Sequence, residues 1–375
     1  MKDDNKSDTG GLARRPRVSG QAAKSDKPGK SAARKRGPVT LREVAAAAGV
    51  SPMTVSNVVN GGGRYVREET RKRVMKAISE LNYRPASSGR NLRLGKRHAI
   101  GVVIVDESSD FLASPFIARF VSALCHVLNE NGYAMIVQGI RPDEFESAFP
   151  LRRAEADAYC IRLNAPADQR EQMLRVLERL DEPMIMIQET LPFEGKDHLT
   201  IRQDDFGGAQ LLADHLLARG VRKAALFAPL YSGPMTQARI EGFKAAFAHL
   251  KDGFDLEIVT VPVNTFASGL QAIEDYLGTG NRPDALIGTN DELALAGLRA
   301  AQGHNLDVPD DIMITGFNGF QPSSYTSPSI TTVESRAADL GAAAGLILME
   351  RLSGIPFTSA EKLLPVTFRK GESTR

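Results

Sequence analysis

The 375-residue chain has no tryptophan, two cysteines and six histidines. Without Trp, any aromatic stacking on a ligand falls to Phe or Tyr. Cys125 and Cys160 stand alone in apolar stretches with no CxxC, so they read as small buried side chains rather than a disulfide or a metal site. The scattered histidines form no HExxH or similar spacing, and no metal is expected. No strand-like run is followed by GxGxxG, and Gly61–Gly63 follows a helical pattern, so it reads as a loop. No acid/base or nucleophile constellation stands out, which weighs against a dinucleotide-dependent enzyme; the chain reads as no enzyme, with no cofactor. No apolar run reaches the ~18–20 residues that span a membrane. The N-terminus lacks the apolar core of a signal peptide, so a soluble, intracellular protein is expected and a transport-type binding protein is disfavoured.

What is present is a charge asymmetry hidden in a net +2. Residues 1–97 carry 23 Lys/Arg against 8 Asp/Glu, and residues 98–375 carry 24 against 37. A basic head on an acidic body is the electrostatic footprint of a polyanion-binding module attached to something else.

Within the head, Thr40–Asn60 carries two short helical patterns broken by glycine. Leu41, Val44, Ala45 and Ala48 share one helix face. Thr40 caps that helix, and Glu43 completes a capping box. Gly49 ends it. Ser51 is a second N-cap, and Pro52 sits where a first-turn proline is tolerated. Val55, Val58 and Val59 give the second helix its apolar side. Met53, Thr54, Ser56 and Asn57 face away from that stripe, with no acidic residue among them to repel phosphate. Two helices joined by a tight Gly-containing turn form a helix-turn-helix, whose second helix enters a DNA major groove. Residues 68–82 predict a third helix, with Val74, Ile78 and Leu81 on one face.

Residues 1–37 are too polar to bury a core and read as a disordered basic tail. The head proper is 38–84. Residues 85–98 form a basic hinge of weak helical signal, in which Leu92 lacks an evident partner. From Ala99 the texture changes: AIGVVIV is a continuous apolar run, as in a strand buried on both faces. Further strands are predicted near 133–137, 158–161, 184–187, 224–227, 257–261, 285–287 and 312–316. Helices are predicted through Phe116–Leu128 and near 167–180, 206–219, 236–250, 267–277, 291–302 and 335–352. Pro150 makes a helix around 145–153 doubtful. This alternation predicts parallel sheets flanked by helices. Its length predicts two lobes in 99–375: about 99–204 with 334–363, and about 205–333 with 364–375.

In that order, VTLREVAAAAGVSPMTVSNVVNG, ETRKRVMKAISELNYRP, IGVVIVD, ARIEGFKAAF, PDALIGTNDELALAGLRA and VPDDIMITGFNGF resemble the lactose/galactose repressor (LacI/GalR) family of bacterial transcription regulators. The resemblance implies an all-α helix-turn-helix domain joined to a two-lobed α/β sensor of the periplasmic-binding-protein type. It implies a homodimer on a pseudo-palindromic double-stranded DNA operator, probed by Thr40, Pro52, Met53, Thr54, Ser56, Asn57, Arg90 and Leu92. Leu92 maps to the family's hinge leucine, which wedges into the minor groove. An effector, a sugar or sugar acid, is implied between the lobes, near Asp106, Phe116, Gln188, Arg239, Asn290 and Asn318, with Asp204 a weaker candidate. Phe116 reads equally as a core residue, and Asp291 reads as the N-cap of the next helix. Three departures matter. Asn57 stands where many relatives have arginine, and Asn prefers adenine where Arg prefers guanine. Gly89 weakens the hinge helix by roughly 1 kcal/mol, so the hinge should fold only on the operator. Asn318 stands where relatives often carry aspartate. The chain lacks a terminal heptad segment, so a coiled-coil tetramer is not expected.

Overall fold

The computed structural model describes residues 39–59, 66–84, 96–108, 110–147, 155–190, 197–231, 233–248, 250 and 253–375. The chain forms two compact units, one within 1–86 and one within 87–375. The tail, Gly61–Gly63 and most of the hinge, including Arg90 and Leu92, lie outside the described residues.

The first unit holds α1 (Leu41–Ala48), α2 (Pro52–Val59) and α3 (Glu68–Glu80). Val44, Ala45, Val55, Val58, Val74 and Ala77 close one small core, with Tyr83 over its end. The predicted face of α3 is turned slightly: Ala77 is buried while Ile78 and Leu81 are only partly so, because the helix stops at Glu80 and Leu81 is its C-cap.

In the second unit the order is β1 (Ala99–Val105), α4 (Pro115–Glu130), β2 (Ala134–Ile140), β3 (Ala158–Leu163), α5 (Ala167–Leu177), β4 (Met184–Ile187) and β5 (His198–Gln203). Then follow α6 (Asp205–Leu217), β6 (Lys223–Pro229), α7 (Pro234–Phe247), β7 (Asp255–Val261), α8 (Phe266–Gly278), β8 (Ala285–Gly288), α9 (Asp291–Gly303) and β9 (Met313–Thr315). The chain ends with β10 (Thr332–Glu334), α10 (Ala337–Leu352), β11 (Glu361–Leu364) and β12 (Thr367–Arg369).

One parallel sheet runs β11-β5-β4-β3-β1-β2 and a second runs β7-β6-β8-β9. Both faces of each are covered. In the first sheet Ile100, Val102 and Ile104 pack on α4 and α10, while Val103 and Val105 pack towards α5. Double coverage explains the unbroken apolar run of β1. The chain passes between the lobes three times: from β5 into α6, from β10 into α10, and from β11 into β12. β10 and β12 pair antiparallel beside the second sheet.

Sequence periodicity left β5, β10, β11 and β12 unassigned. β5 alternates half-buried His198, Thr200 and Arg202 with buried Leu199, Ile201 and Gln203, so it offers no continuous apolar run. Around 142–147 there is a short 3₁₀ turn, and 148–154 lie outside the described residues.

Candidate functional site

The turn between α1 and α2 is built from its caps. Thr40 accepts the Glu43 N–H at 3.4 Å, and the Glu43 carboxylate accepts the Thr40 N–H at 2.6 Å. Gly49 adopts φ 63°, ψ 42° and donates back into α1, a left-handed conformation that side chains resist. Ser51 Oγ accepts the Thr54 N–H at 3.1 Å, capping α2. Val55 and Val58 anchor α2 in the core, which leaves Met53 67% exposed and Thr54, Ser56 and Asn57 half-buried beside it. The Thr40 hydroxyl is tied to Glu43, and Thr54 Oγ1 shares a hydrogen bond with Ser51.

The two lobes meet over a buried polar cluster centred on Asp205, at the first crossing. Its Oδ1 accepts from Arg239 Nε at 2.8 Å and from Gln203 Nε2 at 2.9 Å, and its Oδ2 accepts from Gln188 Nε2 at 2.8 Å. Arg239, on α7, also donates to the Thr289 carbonyl at 2.6 Å and to Asn318 Oδ1 at 3.0 Å, and its guanidinium stacks 3.8 Å from the Phe317 ring centroid. Burial pushes the Asp205 carboxyl up from its usual range, and the Arg239 charge pulls against that. Gln203 Oε1 accepts from Ser335 Oγ and the Arg336 N–H, so the first crossing is tied to the second. The Asp204 N–H donates to the Leu364 carbonyl, tying it to the third.

A cleft of about 70 Å³ opens beside this cluster, lined by Arg162, Asn164 and Gln188 from the first lobe and by Tyr231, Thr236 and Asn264 from the second, among others. A larger recess of about 440 Å³, near Glu107, Arg141 and Gln169, is lined by first-lobe residues alone. The smaller cleft sits at the carboxyl ends of β3, β4 and β6, where open α/β sheets bind ligands. Its volume is below the ~300–1,000 Å³ of most small-molecule sites. Arg162, at the end of β3, is its charged group. Its side chain is 13% exposed and stands 3.7 Å from Asp106. Burial pushes its pKa down; Asp106 opposes that and Arg239 adds to it.

Residues 40–86 match the model of the bacterial regulatory proteins, lacI family, and residues 213–374 that of the periplasmic binding protein-like domain. The transcriptional repressor PurR of Aliivibrio fischeri strain MJ11 is 30% identical over 315 residues, covering 84% of this chain and 91% of its own length. The chain belongs to the LacI family. The ribose operon repressor of Escherichia coli K12 is 28% identical over 346 residues, covering 89% of this chain and 99% of its own. The Lac repressor dimer bound to operator and the anti-inducer ONPF matches with a TM-score of 0.77 at 25% identity, covering 90% of this chain and 99% of that one. A LacI-family regulator from Enterococcus faecium with bound ribose matches with a TM-score of 0.61 at 25% identity, covering 73% and 98%.

Against this LacI-family frame the sequence candidates divide. Gln188, Arg239 and Asn318 come together around Asp205, but they are buried and hold one another. Arg239 is 1% exposed, so it is not the open fork of donors its sequence position promised. Phe116 is a core residue on α4, packed with Phe120 and Ile104. Asn290, not Asp291, caps α9: its Oδ1 accepts the Leu293 N–H, and its Nδ2 donates to Asn264. Asp291 is fully buried and accepts from the Phe320 N–H and the Thr332 hydroxyl, both at 2.6 Å. Asp204 is the N-cap of α6. Asp106 lies behind the cleft, held by Asn164 Nδ2 and the Ser108 N–H. Sequence reasoning missed Asp205 and Arg162. The signal for Asp205 was the doubled acid at 204–205: one residue caps the helix and the other needs a buried partner. Arg162 was marked by a charge closing the apolar run of β3.

Proposed function

We propose that this LacI-family chain is a transcriptional repressor that binds a pseudo-palindromic operator as a homodimer, and that a sugar-type effector between the lobes sets its affinity. The observation that carries the reading is the outward polar face of α2, held rigid by two capped helix starts and a valine anchor. Met53, Thr54, Ser56 and Asn57 are the base-reading candidates, and Asn57 selects adenine through N6 and N7. Thr40 and Pro52, at the starts of α1 and α2, are the candidates for phosphate contact. Arg90 and Leu92, outside the described residues, complete the contact at the hinge, with Leu92 as the minor-groove wedge.

The effector reading rests on a cleft to which both lobes contribute. Asp106, Arg239, Asn290 and Asn318 then act through the shell around it, and Arg162, Gln188, Tyr231, Thr236 and Asn264 meet the ligand. Phe116 leaves the effector set. Effector binding changes the angle between the lobes, and with it the separation of the two hinges in the dimer. Relatives named as repressors set no chemistry at this site, and the buried carboxylates Asp205 and Asp291 hold the fold together; we read the chain as no enzyme. Its place of action follows from its operator, in the cytoplasm on the nucleoid.

The test is to select an operator in vitro with the full-length protein and to titrate sugars while following its affinity. The reading expects steep loss of affinity with salt, symmetric half-sites, and a ligand that moves operator affinity. A selected pool with no symmetric site would overturn it.

A further inference from the structure

Resting on that reading of the interlobe cleft, we propose that the effector is a monoanion: a small polyhydroxylated carboxylate of the sugar-acid class, its carboxylate seated between Arg162 and the N-terminus of α7. Three independent features of the cleft point there.

The first is Arg162. Its Nη1 is buried and has no hydrogen-bond partner among the described residues. The nearest carboxylate oxygen, Asp106 Oδ2, is 3.7 Å away and already accepts from Asn164 at 2.8 Å. A buried guanidinium nitrogen left without an acceptor is costly, and a ligand oxygen relieves that cost.

The second is the start of α7. Gly233, Pro234, Met235 and Thr236 all line the cleft. This helix is 14 residues long, and its N-cap is Gly233, with no side-chain cap. The starts of α6, α8 and α9 are each capped by a side chain, from Asp204, Thr265 and Asn290. The open N–H groups and the positive end of the α7 dipole therefore face the ligand space, an arrangement that favours an anion.

The third is the rest of the lining, which among the described residues contains no Asp or Glu. A neutral sugar presents many hydroxyl donors and is best held by carboxylate acceptors. This cleft offers a guanidinium, amides and hydroxyls instead. The charge is also bounded from above. With Asp106 3.7 Å away taking up part of the guanidinium charge, Arg162 and about half a unit of dipole charge leave room for about one negative charge. A phosphate ester, at about −1.5 to −2, exceeds that, and among the described residues no lysine lines the cleft to help.

The test pairs each acid with its parent on the full-length dimer. Gluconate and glucuronate are titrated against glucose, galacturonate against galactose and ribonate against ribose, with glucose phosphate and ribose phosphate as a separate arm. Calorimetry reads binding, and operator affinity is followed in parallel. The proposal expects at least one acid to bind about tenfold or more tightly than its parent, as a charge-assisted hydrogen bond provides. Arg162→Gln should erase that preference and Arg162→Lys should retain part of it, so a folding failure of the first variant leaves the second to decide. No acid binding more tightly than its parent, binding of the phosphate esters alone, a preference that survives Arg162→Gln, or no binding by any compound up to millimolar concentration would each overturn it. A neutral sugar that shifts operator affinity sinks the anion and leaves the regulator standing. An acid that binds without moving operator affinity leaves the anion standing and sinks the coupling.

Discussion

At the scale of single residues, the buried charges decide most. Arg239 answers Asp205, Asn318 and the Thr289 carbonyl at once, with both charged partners below 5% side-chain exposure. Removing one partner strands the other. Arg239→Met should destabilise the body by about 3–5 kcal/mol, and the double variant with Asp205→Asn should recover part of it. Urea unfolding with and without the second change measures this; a loss below about 1 kcal/mol would mean the pair is not the support claimed. Asp291 offers a different signature. Burial raises its carboxyl to about 6 from 3.8, and the hydrogen bonds from Thr332 and the Phe320 N–H only partly offset that. With the folded pKa above the unfolded one, its contribution is fully present below about pH 4 and is lost as pH rises through about 6. The effect is on the order of 3 kcal/mol. His215 works against it: burial, aided by Arg219 and Lys370, pushes its imidazole down to about 4, so its contribution falls away as pH drops through the same window. Comparing wild type with Asp291→Asn isolates the first effect. The variant should gain on the wild type between pH 4 and pH 7 in denaturant midpoints, and parallel profiles would refute the assignment.

Among the elements, α2 carries the sharpest expectation. Val55 and Val58 lock its rotation, so whatever base Asn57 meets is set by geometry rather than by adaptation. Asn57→Arg should shift the selected half-site from adenine to guanine at one step, at about 1–3 kcal/mol of discrimination. In vitro selection with both proteins reads it directly, and identical selected sequences would place Asn57 away from the base edges. This element was fully legible in the sequence because caps, glycine and valine spacing are all local. The body was legible where both faces of a strand are buried, as in β1 and β4, whose every residue is inside. β5 and β11 were not, because the polar residues along them break the apolar run. Their placement is decided by pairing with each other and with β4, which sequence spacing does not encode. Among the effector candidates Gln188 lines the cleft, while Arg239 is buried for a related reason. The family resemblance implies Arg239 at the cleft, but only the fold shows that Asp205 already holds it.

For the whole molecule, the question is how a ligand at the cleft reaches DNA. The three crossings are not independent threads. Gln203 binds Asp205 on one side and Ser335 and the Arg336 N–H on the other, and the Asp204 N–H reaches the Leu364 carbonyl. Arg239 joins the same group to Asn318, whose own backbone carbonyl accepts the Ser335 N–H. A change in lobe angle would therefore have to move all three crossings together. Coupling of about 1–3 kcal/mol corresponds to a change in operator affinity of roughly 5–150-fold. Linkage makes this a strict test: operator DNA must change effector affinity by the same factor. Effector titrations with free dimer and with operator-saturated dimer should give that ratio, and unequal factors would show that more than one linked equilibrium is at work. Gln203→Leu removes the tie between the first and second crossings without touching the cleft lining. It should leave each ligand able to bind alone while bringing both factors towards one. If coupling instead persists unchanged in a folded Gln203→Leu protein, the signal passes through β12 and the third crossing, and Gln203 is a structural tie only.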